Sequence, residues 1–255
     1  MKSRRSEDEV RIWRRPQRGE RYVWGGDVAE GLEHGDYSVI EILSLDHGDQ
    51  VAEYQGKREG MELGELAYLM GQWYNWAYGA FENNADQTPN NKLLELKYPK
   101  LHFQQDHSKG YPVDTDKAGW NTNLHTRYRM VRQARSLLRD GSIVIRSQHL
   151  LDEMEIFARN SRGKYAALPG GHDDLVMAFL IATQMYYLVV QLEEYDSHGI
   201  APMVKGQEVK PGQGDTNILM EDEDPRTREE RLGEAAVQRI ETQAQEEVMA
   251  MEMLI

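Results

Sequence analysis

Apolar residues first gather at Tyr22, Val23 and Trp24, and the run closes on two glycines and Asp27. This reads as a buried strand, Tyr22–Asp27, that stops at a carboxylate. Tyr37–Leu45 and Gln50–Gln55 read as two further strands, with Gly31, Gly35 and Gly48 marking the turns between them. Connections this short favour an antiparallel meander, because a parallel pair needs a longer crossover. From Met61 to Tyr78 the apolar positions change period: Leu63, Leu66, Ala67, Met70, Trp73 and Tyr74 fall at helical spacing. That segment is expected to be the crossover helix, leading into a short strand, Tyr78–Phe81, which again ends on an acid, Glu82.

Further on, Asn91–Tyr98 reads as a helix closed by Pro99, Leu101–Phe103 as a short strand and Gln104–Asn121 as a polar loop. Helices are expected at Leu124–Arg139 and Gln148–Ala158, on either side of a strand-like Ile143–Ile145. Gly163–Gly171 then delivers the chain to an apolar helix from Asp173 to about Val190. The apolar stretch Leu175–Val190 reads as short for a membrane span and is broken by Thr183 and Gln184, so no membrane partner is expected. Past Asp196 the Pro and Gly residues of Gly199–Gly214 resemble a linker. The resulting division is a basic lead-in (1–20), a folded domain (21–192), a linker (193–225) and a tail helix (226–255). In the tail, Leu232, Ala236, Ile240, Ala244, Val248, Met251 and Ile255 form one apolar stripe over about eight turns. This stripe is expected to dock on another protein; folding back or self-association is the alternative.

The net charge of −13 argues at first against a nucleic-acid partner. Its distribution alters that conclusion: Glu193–Ile255 carries 16 acids against 6 bases, so only −3 belongs to the other 192 residues. Residues 121–146 hold six arginines against a single acid, Asp140. Arg127, Arg129, Arg132, Arg135 and Arg139 recur at near-helical spacing and could present a phosphate-contacting face rather than a merely solvated one. The chain has no cysteine, which excludes a disulfide scaffold and thiolate zinc sites. No N-terminal signal peptide is evident, and a non-secreted protein is expected.

Three acidic positions stand out by placement: Asp27 and Glu82 at strand ends, and the Asp173/Asp174 pair opening a helix. Sheet-based folds place sites there. If the two strands are parallel neighbours, Asp27 and Glu82 lie about 5 Å apart, within reach of one metal. Converging carboxylates repel one another unless a divalent cation supplies the missing charge, and Mg²⁺ or Mn²⁺ favours such oxygen ligands. Taken singly, each acid is equally a turn residue or a helix cap, and Asp173 would make a good N-cap.

The order of motifs carries more than any one of them. Tyr22-Val-Trp-Gly-Gly-Asp-Val-Ala-Glu-Gly31, Gly35-Asp36-Tyr-Ser38, Phe81-Glu-Asn-Asn84, Leu96-Lys-Tyr-Pro99, Gly119-Trp-Asn-Thr122, Leu138-Arg-Asp-Gly141 and Gly170-Gly-His-Asp-Asp-Leu-Val-Met-Ala178 follow one another along residues 20–190. In this the chain resembles the nuclease domain of a tailed-phage large terminase subunit. The resemblance implies an α/β, RNase H-like fold, a mixed central sheet flanked by helices, here followed by a C-terminal helical tail. It implies that Asp27, Glu82 and Asp173 ligate metal, with Asp174 additional or alternative, and that two Mg²⁺ or Mn²⁺ ions serve a metal-dependent endonuclease acting on double-stranded DNA. His172 is expected to hold a metal water or a ligand carboxylate, and Lys164 to approach phosphate.

The same resemblance implies cleavage of concatemeric viral DNA in the host cytoplasm during virion assembly, with the portal or small terminase subunit as partners for the tail. One departure stands out: members of that family carry an ATPase half, and no Gly-x-x-x-x-Gly-Lys-Ser/Thr loop occurs in this chain. The ATPase is therefore expected as another domain or another subunit. Other RNase H-like enzymes, such as a junction resolvase or a transposase-like strand transferase, and a non-catalytic docking module are the alternatives.

Overall fold

A computed structural model describes residues 8–29, 37–84, 86–106, 113–161 and 163–197. All belong to the first of two units, Met1–Pro202; the expected linker and tail helix lie outside the described residues except for residues 193–197.

The chain begins with β1 (Asp8–Ile12), then runs through β2 (Tyr22–Asp27), β3 (Ser38–Ser44) and β4 (Gln50–Gly56) as an antiparallel meander, as the short connections require. Helix α1 (Gly60–Trp73) crosses over and returns the chain as β5 (Tyr78–Phe81), parallel to β2. The sheet order is β1-β4-β3-β2-β5. The second strand is thus interior, between an antiparallel and a parallel neighbour.

Period-2 alternation sends successive side chains to opposite faces, and two cores result. Trp24, Ile40, Ile42 and Tyr54 pack with Leu63, Leu66 and Met70 of α1. On the other face, Val23, Val39 and Leu43 meet α3 (Leu124–Arg139), α4 (Gln148–Ile156) and α5 (Asp174–Ser197). Both faces are covered, which is why β3 and β4 are buried along their whole lengths. The segment Asp174–Gln191 is long and apolar enough to span a bilayer, with mean hydropathy 1.4, but 61% of it is buried inside the protein. Its apolarity is that of a core helix.

Several elements depart from the expected ones. The lead-in is not separate: β1 pairs with β4, and Arg14 is clamped by Glu20 and Asp49 at 2.6 and 2.8 Å. Its alternating charges hide a strand whose Arg11 side chain bonds the buried Glu53. Helix α1 stops at Trp73 because Asn75 and Trp76 adopt left-handed φ of 55° and 56°. Helix α2 (Thr88–Glu95) starts three residues early, with Pro89 in its first turn and Asp86 accepting the Thr88 N–H at 2.8 Å. It ends before Lys97, whose φ is 56°.

The polar loop expected over Gln104–Asn121 instead contains a hairpin, β6 (Phe103–Asp106) with β7 (Val113–Ala118). The helix expected over Gln148–Ala158 ends at Ile156, and a second hairpin joins β8 (Phe157–Arg159) to β9 (Tyr165–Ala167), the latter in the segment expected only to connect. Ile143–Ile145 forms no strand, only a bridge between Val144 and Asp49. Helix α5 continues past the expected boundary at 193 to Ser197.

Candidate functional site

Parallel pairing of β2 with β5 aligns Gly26 with Phe81, and the Glu82 N–H donates to the Gly26 carbonyl at 2.9 Å. Asp27 and Glu82 therefore emerge side by side at the C-terminal ends of adjacent strands. The third contributor arrives because α5 lies directly on β2. A Cβ at Gly25 would sit 2.2 Å from the Ala182 backbone nitrogen and 2.4 Å from the Ala178 carbonyl oxygen, so only glycine permits this approach. The start of α5 is thereby brought to the end of β2. Asp27, Glu82, Asp173 and Asp174 line one cleft of about 570 Å³, together with Arg127 and Lys164.

The backbone behind Glu82 is held just as closely. Gly119 has φ 94°, and a Cβ there would meet the Phe81 carbonyl at 2.8 Å. Trp120 then bridges Glu82, and the Asn84 amide donates to Glu82 Oε1 at 2.8 Å. This is the structural content of the Gly119-Trp120 and Asn83-Asn84 motifs. Asn83 is buried and donates to the Ala118 carbonyl at 3.1 Å, the turn-fixing role.

Asp27 is the electrostatic centre. Burial, the charge of Glu82 and the charge of Asp174 push its carboxyl well above the usual carboxylate range, and it shares a hydrogen bond with Glu82. Asp173 contributes to the same shift. Arg127 offers partial compensation from the Asp173 side: its Nη1 reaches Asp173 Oδ2 at 3.4 Å and donates to the Tyr165 carbonyl at 3.0 Å. Asp174 Oδ2 accepts the Tyr37 N–H at 2.9 Å and lies 3.8 Å from His172 Nδ1. His172 is thus beside a site carboxylate and stacks edge-on to Tyr37.

These residues suit a hard divalent cation by their donor set. They are all oxygen donors, crowded enough to push the Asp27 carboxyl well above its usual range, a strain that a divalent cation would relieve. They do not form a closed cage: among the described residues no three His, Asp or Glu groups converge on a single ligation point. The arrangement is an open cleft whose carboxylates line the same space.

The arginines of α3 divide. At about 100° per residue, Arg132, Arg135 and Arg139 fall within an arc of about 60°, whereas Arg127 is about 80° away from the nearest of them. Arg132, Arg135 and Arg139 are exposed and line a groove of about 970 Å³ with Tyr128, Tyr165 and Tyr187. Arg127, expected on that outward face, turns into the acidic cleft instead. Lys164 is exposed at the rim of the same cleft. Arg129 lies over the Trp120 ring at 5.8 Å.

Glu153 carries no local sequence signal, and only the fold brings it here. This α4 residue accepts the Leu175 N–H at 2.9 Å and the Val176 N–H at 3.4 Å. Burial, then the Asp174 charge, raises its carboxyl to about 7.

A five-stranded mixed sheet with helices on both faces, and carboxylates gathered where β2, β5 and α5 meet, define an RNase H-like α/β domain with an acidic cleft. No known family model matches the chain, and no curated protein matches it. In fold it is similar to the large terminase nuclease from thermophilic phage G20c, with a TM-score of 0.53 and 18% identity over 71% of this chain and 89% of that one. The same nuclease with bound magnesium aligns at a TM-score of 0.51, covering 71% and 89%, again at 18% identity. With bound cobalt it aligns at 0.50, covering 71% and 88%, at 18% identity. The likeness identifies the fold as that of large terminase nuclease domains.

Proposed function

We propose that this chain is a divalent-metal-dependent DNA endonuclease that cuts concatemeric viral DNA during genome packaging. The observation that carries the reading is the single cleft lined by Asp27, Glu82, Asp173 and Asp174, in which burial and the neighbouring acids push the Asp27 carboxyl well above its usual range. The fold shared with a terminase nuclease that binds magnesium or cobalt supports it.

Asp27, Glu82 and the Asp173/Asp174 pair would hold Mg²⁺ or Mn²⁺, two ions on our reading. Held there, a cation would supply the charge needed to activate water for attack on phosphorus and to steady the leaving oxygen. Asn84 fixes the orientation of Glu82, and the Tyr37 N–H with His172 fixes Asp174. Arg127 steadies Asp173 and lies in the cleft where a phosphate would enter, with Lys164 at the rim. Arg132, Arg135 and Arg139 contact the DNA backbone along α3, supplying affinity without sequence preference. The cleaving chain works with an ATPase domain or subunit in the host cytoplasm, and the tail helix docks on the portal or small terminase subunit.

The test is nicking of supercoiled plasmid by the full chain with Mg²⁺ or Mn²⁺. Nicked and linear products that disappear with EDTA support the reading. Absence of cleavage at every metal concentration, with intact DNA binding, would leave a docking module.

A further inference from the structure

Helix α5 presents a capping problem. The Met177 N–H bonds to the Asp173 carbonyl at 2.8 Å, so Asp173 occupies the N-cap position. From there an aspartate side chain ordinarily accepts the N–H groups two and three residues on, those of Leu175 and Val176. Here both go to Glu153 Oε2, at 2.9 and 3.4 Å. The side chain of Asp173 is directed instead to Arg127, and that of Asp174 to the Tyr37 N–H. Neither aspartate is used to cap its own helix.

The supplier is well anchored. Helix α4 is capped by Ser147, whose hydroxyl accepts the Leu150 N–H at 3.1 Å, and Leu150 is fully buried in the core beneath. The backbone N–H groups of Arg146 and Ser147 both donate to Gln50 Oε1 at 2.8 Å, tying the helix start to β4. Glu153 thus reaches α5 from a fixed base, across an interval of about 20 residues that no capping motif spans.

We propose that Glu153 is a positioning residue for the cation site: by capping α5 in place of Asp173, it leaves the Asp173 and Asp174 carboxylates to face the cleft. This rests on the reading of the cleft as a cation site. Withdrawing the distant cap would let Asp173 turn back to the Leu175 and Val176 N–H groups, its ordinary N-cap partners, and leave the cleft. The role depends on reach and on an acceptor oxygen, not on charge. Groups that orient metal ligands from behind typically cost about 10- to 100-fold in metal affinity when removed.

Two conservative variants separate these requirements. Glu153→Gln keeps the chain length and an acceptor oxygen but loses the charge; Glu153→Asp keeps the charge but is one methylene too short. Mn²⁺ binding to the full chain, followed by water-proton relaxation with melting recorded in parallel, is expected to stay within a few-fold of wild type for Glu153→Gln. It should fall about 10- to 100-fold for Glu153→Asp, with the protein still folded. Wild-type affinity in Glu153→Asp would overturn the proposal, as would a Glu153→Gln variant as weak as Glu153→Asp, which would assign the effect to charge. Failure of the wild-type chain to bind Mn²⁺ would instead remove the cation site itself, and the positioning role with it.

Discussion

Two pairs of acids face each other across neighbouring strands of this sheet, and they have opposite fates. Asp27 and Glu82 sit on the parallel β2/β5 pair; Glu41 and Glu53 are register partners on the antiparallel β3/β4 pair. In both pairs the two carboxyls share a hydrogen bond, and burial with the partner's charge pushes Asp27 and Glu41 well above the carboxylate range. Glu41 and Glu53, however, are each 0% exposed, and their partners are supplied by the protein itself: the Gln50 amide donates to Glu41 Oε2 at 2.6 Å, and Arg11 bonds Glu53. Asp27 and Glu82 open on a cleft that adds two more acids and offers Arg127 and Lys164 in partial compensation. Paired acids alone therefore do not make a cation site. What sets the proposed cation site apart is position at the strand ends, beside the start of a helix and open to solvent.

The contrast is broken most sharply by charge removal. Asp27→Asn should lower metal-dependent plasmid nicking by at least about 10³-fold, the loss of several kcal/mol of charge stabilisation at the reacting phosphate. Glu41→Gln should leave nicking at the wild-type level. Equal losses in the two variants would erase the distinction between the pairs.

Gly25 lies between the pairs, aligned with Glu41 on one side while α5 rests on its backbone. Gly25→Ala forces a Cβ against that helix and should destabilise the fold by about 3 kcal/mol, the upper range for overpacking. Since the displaced element is the one bearing Asp173 and Asp174, Mn²⁺ affinity should fall as well. A thermal melt and a Mn²⁺ titration on one sample check both.

A smaller effect is expected on the DNA side. Replacing Arg132, Arg135 and Arg139 by Gln should weaken DNA binding and reduce the slope of log K against log salt by about 0.9 for each phosphate that is no longer neutralised. Mn²⁺ affinity should not change, because these side chains face the outer groove. An unchanged slope would make this a solvated face.

The smallest effect concerns the closed pair. Because the folded-state Glu41 carboxyl is raised by burial and Glu53, its contribution to stability is complete below the unfolded value, about 4.3. It is lost as pH rises through the raised folded value. The groups facing Glu41 are Glu53, Gln50 and, more distantly, Glu153. Glu41→Gln should remove that decline, so wild-type and variant melting curves should separate at alkaline pH in favour of the variant. Parallel pH profiles would show that Glu41 does not titrate in this way.

Much of this arrangement is legible in the sequence. Short apolar runs mark β2, β3, β4 and β5, and α3 runs from Leu124 to Arg139 as its period requires. The strand-end placement of Asp27 and Glu82 follows from those boundaries. What the sequence conceals has no apolar period to reveal it: β6 and β7 are built largely from Gln, Asp, Thr and Lys and are held by backbone pairing. Nor does local pattern carry the reach of one helix to another. Asp173 reads as its own N-cap because the competing acceptor, Glu153, belongs to a different element. Arg127 reads as one of a basic row because spacing alone does not show which side of α3 meets the cleft.

At the centre of this contrast is the open pair, where burial and neighbouring acids raise the Asp27 carboxyl and where we propose that a cation binds. Calorimetric titration of the full chain with Mn²⁺, repeated near neutral pH in buffers of different ionisation enthalpy, measures cation binding and proton release together. Binding with net proton release is expected in wild type and in Glu41→Gln, and loss of both in Asp27→Asn. Undiminished Mn²⁺ binding in Asp27→Asn, or binding in wild type with no proton released, would contradict it.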